Sequence, residues 1–286
     1  MKRARYIWLL IIPLTLATFV RAWGLDGHRR LNYIASRQLN GQFGRFLKQN
    51  SEALKWYATA PDYNRAVDPN ELPRHFIDTD YYDQFPFENI PLDYEELVTK
   101  YGENNLAQWG IAPWAIDTTC DRIIALFEDE RFEEAVYYLG VLGHYIADLH
   151  MPLHTVKNYN GQFSGNDGIH FRWEARLVDD YVRHIKPIGK VEPVVDPVSF
   201  AMDIVRESFQ FHKMLLTADT KARKILSDEQ AKALDSHKIL SFEKPYLDIL
   251  YNETEPILKE RLGRAVFRIT SIWQYCWEQA GRPKLP

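Results

Sequence analysis

The chain predicts an all-α protein folded as a single compact helical domain, on three observations. Apolar residues recur at helical spacing in four long segments. Runs of strict alternation, the mark of half-buried strands, are scarce. The Gly, Pro, Asn and Asp clusters that punctuate the chain are too short and too varied to be domain linkers, and no internal repeat is present.

Taken in order, residues 1–22, MKRARYIWLLIIPLTLATFVRA, predict a cleaved secretory signal. They combine a basic start, an apolar stretch, and a small residue at Ala22 with Val20 two before it. A membrane span is the rival reading, but the run from Tyr6 to Val20 is short against the ~20 residues a bilayer needs, and Pro13 sits inside it. Residues 23–286 are then the catalytic domain of a secreted or periplasmic protein, with no stable membrane anchor and no protein partner expected. RRLNYIASRQL predicts a helix, and APDYNRAVDPNELPRH and FPFENIPLD predict loops. DTTCDRIIALF and EEAVYYLGVLGHYIADL predict two further helices, the second broken by Pro152. NYNGQFSGNDG reads as a loop opening a helix at HFRWE, and KPIGKVEPVVDP as another loop. PILKERLGRAVFRITSIWQYCW predicts a closing helix. The last third of the chain has few convergent polar groups and reads as scaffold.

Loss of the signal removes Lys2, Arg3, Arg5 and Arg21, so 35 basic residues become 31 against 39 acidic ones and the formal charge moves from −4 to −8. Such an acidic chain has no broad basic patch with which to grip nucleic acid by counterion release. A polyanionic substrate must therefore find positive charge elsewhere. Cys120 and Cys276 are too few for a thiolate zinc site. They form either one disulfide in an oxidising compartment or two buried thiols.

The segment GHYIADLHMPLH poses the functional question, because it carries three histidines and an aspartate in an otherwise apolar helix. Such groups are costly to bury unless paired or bound to a metal. His144 and Asp148 are four apart and share a helical face, and His154 lies beyond the Pro152 break, able to turn back on the same cavity. His150 falls well round the helix and is left out as a surface or core histidine. The spacing recurs at His170 and Glu174. One such pair is expected by chance among nine histidines, so the signal lies in the company: two pairs, His154, and Asp62 and His75 in loop-forming sequence upstream. Each group alone has an ordinary reading as a core pair, a solvated helix residue or a turn cap. Jointly, that reading must bury several titratable groups and give each a partner. Imidazole and carboxylate without thiolate is a ligand set for hydrolytic zinc with open positions. Cleavage after Ala22 adds the free amine and carbonyl of Trp23, five residues before His28 and able to chelate.

WGLDGH, PDYNR, HFID, GHYIADLHMPLH and HFRWE, in that order, resemble the zinc-dependent single-strand nucleases of fungi and plants, with the bacterial zinc phospholipases C as more distant relatives. The resemblance covers Trp23 to Glu174, and beyond it only helical character matches. It implies a cluster of three Zn2+ in a cleft. Asp62, His75 and His144 hold one ion, and Asp148 bridges it to a second on Trp23 and His28. His154, His170 and Glu174 hold the third. Glu174 departs from the nucleases, which usually place aspartate there as the phospholipases C do not, whereas the short Trp23 to His28 spacing is of the nuclease kind. Phe76 and Asp78 match the positions where these nucleases stack a base and bond its edge, and Arg65 matches an arginine near the phosphate. The ordinary readings of these three are a core ring, a turn residue and a surface charge.

The expected function is a zinc-dependent phosphodiesterase acting on single-stranded RNA, DNA or nucleotides. Asp62, Arg65 and Asp148 are in the catalytic set, and the resemblance implies 5′-phosphate products and 3′-nucleotidase activity. Two bridged zinc ions would acidify a shared water, the third would stabilise the leaving oxygen, and Arg65 would steady the phosphoryl charge. Three dications supply the field the acidic chain lacks. The alternatives are a phospholipase C acting on lipid headgroups and a non-catalytic metal-binding helical protein.

Overall fold

In the computed structural model, the structure describes residues 24–178, 185–234 and 242–286, and among these every regular element is helical. The predicted signal segment and Trp23 lie outside the described residues. Among the described residues no helix is long and apolar enough to cross a membrane.

The fold is organised around Phe132–Leu149, in which every residue from Leu139 to Leu149 is buried. A helix apolar all round must be enclosed on all sides. Ala112–Glu128, Gly24–Ala35, Ser51–Tyr57 and Glu243–Gln279 pack around it. Glycines decide how closely. A Cβ on Gly143 would lie 2.2 Å from Asn32 Oδ1 and one on Gly140 2.5 Å from Tyr57 Cβ, so both positions require glycine for the Gly24–Ala35 and Ser51–Tyr57 helices to seat. Asn32 then donates from Nδ2 to Gly140 O at 2.9 Å and to Leu54 O at 3.3 Å, which fixes the register of the helix carrying His28.

The carboxyl end of the central helix is tied down from behind. Ser208 Oγ donates to Leu149 O at 2.6 Å, and the buried Arg261 guanidinium reaches Ser208 Oγ at 2.7 Å and Glu207 at 3.0 Å. The helix therefore ends at a fixed point just beyond Asp148, and the Pro152–Thr155 turn carries the chain back. A second buried network holds the chain around His170. Arg172 bonds Tyr246 Oη at 2.9 Å, Asp167 O at 2.8 Å and Asp219 at 3.2 Å, while Trp173 Nε1 donates to Thr254 Oγ1 at 2.9 Å.

Three local expectations need correction. Asp62 lies on a short helix, Ala60–Asn64, rather than in a loop, because Pro61 is placed where its missing N–H costs nothing. The chain before His75 is a helical turn, Leu72–Arg74. The closing helix begins at Glu243, with Pro256 in its interior. The carbonyl that Pro256 leaves without its helical donor belongs to the exposed Asn252, where water can satisfy it. Cys120 and Cys276 are both buried as free thiols.

Candidate metal centre

Buried histidines and carboxylates from five separate stretches meet on one side of the central helix. Three sets of donor atoms lie within 4.8 Å of one another: His28 with His144 and Asp148, Asp62 with His75 and His144, and His154 with His170 and Glu174.

Asp148 is the hinge of the arrangement. It is fully buried, and its oxygens face different neighbours. Oδ2 lies 2.9 Å from His75 Nδ1 and 3.1 Å from His144 Nε2, whereas Oδ1 lies 3.4 Å from His28 Nε2 and 3.7 Å from His154 Nδ1. Burial alone would raise the Asp148 pKa, but the His144 and His154 imidazoles hold it well below the carboxylate range. The His28 ring stacks on His144 at 3.8 Å, and burial followed by the His144 charge pushes the His28 pKa down.

Backbone carbonyls fix two of the imidazoles. His144 Nδ1 donates to Ala58 O at 2.8 Å, and His154 Nδ1 donates to His75 O at 3.0 Å. Each Nε2 is thereby a bare lone pair when the ring is neutral. Yet His144 Nε2 faces His75 Nδ1 at 3.0 Å, and His154 Nε2 faces His170 Nε2 at 3.0 Å. Nitrogens so opposed repel unless a proton or a cation lies between or beside them. Asp62 divides its labour: Oδ1 takes a 2.7 Å bond from Arg65, and buried Oδ2 has no protein partner. His28 Nδ1 and Nε2, Asp148 Oδ1, His170 Nδ1 and both Glu174 oxygens are likewise buried without a hydrogen bond. A set of orphaned imidazole and carboxylate atoms is what a hard to borderline dication requires, so the residues fit zinc.

Local structure explains how a scattered set converges. Residues 73–80 are clamped on two sides, with Ile111 N on Pro73 O at 2.6 Å, Ala112 N on Phe76 O at 3.1 Å and Ile77 N on His154 O at 2.9 Å. The same clamp seats His75, Phe76 and Asp78. His170 opens a short helix, Ile169–Phe171, that continues as a π-helical turn, Arg172–Leu177, holding Glu174. His170 Nε2 lies 2.6 Å and His154 Nε2 3.2 Å from Glu174, so the wider turn still keeps the carboxylate on the histidine face.

A cavity of about 510 Å³ opens directly on this cluster and is walled by Arg65, Phe76, Asp78, Tyr159 and the edges of His75, His154 and His170. Phe76 is half-buried and Asp78 is buried, with its Oδ1 unpartnered. Burial, followed by the charge of Asp80, pushes the Asp78 carboxyl up to about 8.

Every candidate residue from Asp62 to Glu174, together with His28, thus lines either the cluster or its cavity, while Trp23 lies outside the described residues. His150 is a buried core histidine whose Nδ1 donates to Ile146 O at 2.8 Å. Sequence reasoning missed Glu71 and Tyr145, whose side chains meet behind His75. An acid four residues before a histidine was signal enough, but only contacts distant in sequence give it meaning.

An all-helical fold around buried imidazole–carboxylate sets that open on a cavity has the residues and the access of a candidate metal centre. Residues 27–238 match the family described as zinc dependent phospholipase C, and the chain belongs to that family. No curated protein matches. Among solved structures the chain is similar to the alpha-toxin of Clostridium perfringens, isolated from an avian strain, with 14% identity and a TM-score of 0.50. The match covers 92% of this chain and 65% of the toxin chain. At that identity the likeness establishes the fold.

Proposed function

We propose that the protein is an exported zinc phosphodiesterase that hydrolyses single-stranded RNA or DNA to 5′-phosphate products and removes 3′-phosphates from nucleotides. The carrying observation is the cavity: a half-buried aromatic face and a buried carboxyl share its wall with Arg65 and with three of the cluster's imidazoles. A base stacked on Phe76 with its edge on Asp78 would lead its phosphate toward Arg65 and the histidines.

Asp62, His75, His144 and Asp148 would hold one zinc ion, His28 and Asp148 with the amine and carbonyl of Trp23, which lies outside the described residues, a second, and His154, His170 and Glu174 a third. Zinc supplies a Lewis acid for phosphoryl oxygens and an acidified water at neutral pH. The chain's own groups do the positioning. Asp62 Oδ1 pins Arg65 at the cavity edge, where the guanidinium meets charge growing on the phosphoryl oxygens. The carbonyls of Ala58 and His75 hold His144 and His154 in the tautomer that keeps Nε2 toward the cluster. The Asp78 carboxyl, in the cavity wall beside Phe76, would hydrogen-bond the edge of a stacked base.

A phospholipase C reading is favoured by the family description and by glutamate at position 174. Incubation of purified protein with single-stranded DNA and with phosphatidylcholine vesicles separates the two. Nucleotide release is expected, and lipid cleavage without it would reverse the assignment. Within the nuclease reading, Asp78→Ala should raise KM for an oligonucleotide about tenfold, since a lost buried hydrogen bond costs on the order of 1–3 kcal/mol. Asp78→Asn, which keeps a donor and an acceptor, should leave KM at pH 7 nearly unchanged. Equal KM in all three proteins would remove Asp78 from substrate binding.

A further inference from the structure

We propose that Glu71 is a positioning residue for the candidate metal centre, placing the His75 hydrogen on Nε2 and so turning the Nδ1 lone pair toward the ion assigned to Asp62, His75 and His144. The inference rests on the metal-binding reading above.

Glu71 is buried on the far side of His75, with Oε1 3.5 Å from His75 Nε2. His75 Nδ1 points the other way, into the cluster, at 2.9 Å from Asp148 and 3.0 Å from His144 Nε2. Carboxylates face both nitrogens, so with an ion bound between Nδ1 and Asp148 the hydrogen is left on Nε2, where Glu71 can accept it. The other candidate imidazoles differ. His144 and His154 are backed by neutral carbonyls, whereas His75 Nε2 makes no other hydrogen bond and has the Glu71 carboxylate as its ion-pair neighbour. Among the described residues His75 is thus the candidate ligand with an anion behind its outward nitrogen. An imidazole so backed is the more basic donor.

The carboxylate is itself held in place. Tyr145 Oη donates to Glu71 Oε1, and Arg74 Nε donates to Tyr145 Oη at 3.0 Å while lying 3.9 Å from Glu71 Oε2. Arg74 is anchored in turn on Thr119 Oγ1 at 3.1 Å. The Tyr145 ring stands edge-on to His75 at 5.7 Å and fixes the imidazole plane. Tyr145 neighbours His144 on the central helix, so one helix supplies both a candidate ligand and the clamp on the group behind another. A residue that only filled space would need neither an ionised head nor a tyrosine and an arginine to aim it.

The test is zinc retention in the mature protein, titrated with a chromophoric chelator for wild type, Glu71→Gln, Glu71→Asp and Tyr145→Phe, beside thermal unfolding of each metal-free form. Glu71→Gln should surrender one ion about 10- to 100-fold more readily than wild type, with unfolding of its metal-free form unchanged and Glu71→Asp restoring part of the affinity. In cobalt-substituted protein the visible bands of that ion should shift in Glu71→Gln. Unchanged retention in Glu71→Gln, or a loss equal in Asp and Gln, overturns the proposal. If Glu71→Gln does not fold, Tyr145→Phe decides: weaker retention of the same ion supports the role and wild-type retention overturns it. A wild-type protein that takes up no zinc would instead overturn the metal-binding reading itself.

Discussion

Asp148→Asn is expected to lower kcat/KM by at least about a thousandfold, equivalent to roughly 4 kcal/mol of transition-state stabilisation, and to reduce bound zinc from three ions to one. The amide is nearly isosteric with the carboxylate, so the fully buried site keeps its volume. What it loses is the negative charge that faces four imidazoles, two from each oxygen. Two of the three proposed ions share this carboxylate, whereas His154, His170 and Glu174 form a set that does not need it. The pattern of loss is thus more diagnostic than its size. Metal analysis of the variant together with a phosphodiester assay gives both numbers. Retention of all three ions would show that Asp148 does not bridge, whatever became of the rate.

The parts of the site that could be read in the sequence are those where local spacing equals spatial proximity. His144 and Asp148, and His170 and Glu174, are helical neighbours, and their spacing on one face survives folding even though the second pair spans a π-helical turn. Asp62 and His75 were legible as residue types; the loop assignment holds for His75, in irregular chain just past the Leu72–Arg74 turn, and fails for Asp62 because Pro61 starts a short helix as readily as it interrupts a long one. Pro256 misled in the same way, reading as a helix start although it lies inside a longer helix. What no local pattern could supply was closure. Gly140 and Gly143 admit two neighbouring helices, a role visible only once Asn32 and Tyr57 are placed against them. The Glu71, Tyr145 and Arg74 group joins positions more than seventy residues apart and has no periodic signature. The scaffold assigned to the last third of the chain carries more weight than its plain composition suggested, since Arg261, Ser208 and Asp219 immobilise the segments that hold the candidate ligands.

In the metal-free protein, raising the pH from 6.5 to 9 is expected to cost roughly 3 kcal/mol of stability, and saturating zinc should abolish the loss. Burial disfavours a charge on His154, but the carboxylates of Glu174 and Asp148 outweigh it and lift the pKa to about 9, above the ordinary 6.5. A group whose folded pKa is raised contributes stability that is fully present below its unfolded value and disappears as the pH climbs through the folded one. His28 has the opposite sign. Burial and the His144 charge depress its pKa, so it withholds a proton that the unfolded chain would take, and it destabilises the fold as the pH falls below 6.5. Metal-free protein should therefore be most stable near neutrality and lose on both sides. Zinc replaces the proton as the partner of Glu174 and Asp148, and it prefers the neutral imidazole, so only the acid limb should survive metal loading. Thermal unfolding at intervals from pH 5 to 9, with chelator and with zinc, separates the two curves. A metal-free curve that stays flat from neutrality to pH 9 would mean that His154 sits neutral between its carboxylates. The His154 Nε2 lone pair would then accept the hydrogen of His170 Nε2 across their 3.0 Å contact, and the proton that the acidic neighbours stabilise would lie elsewhere in the cluster.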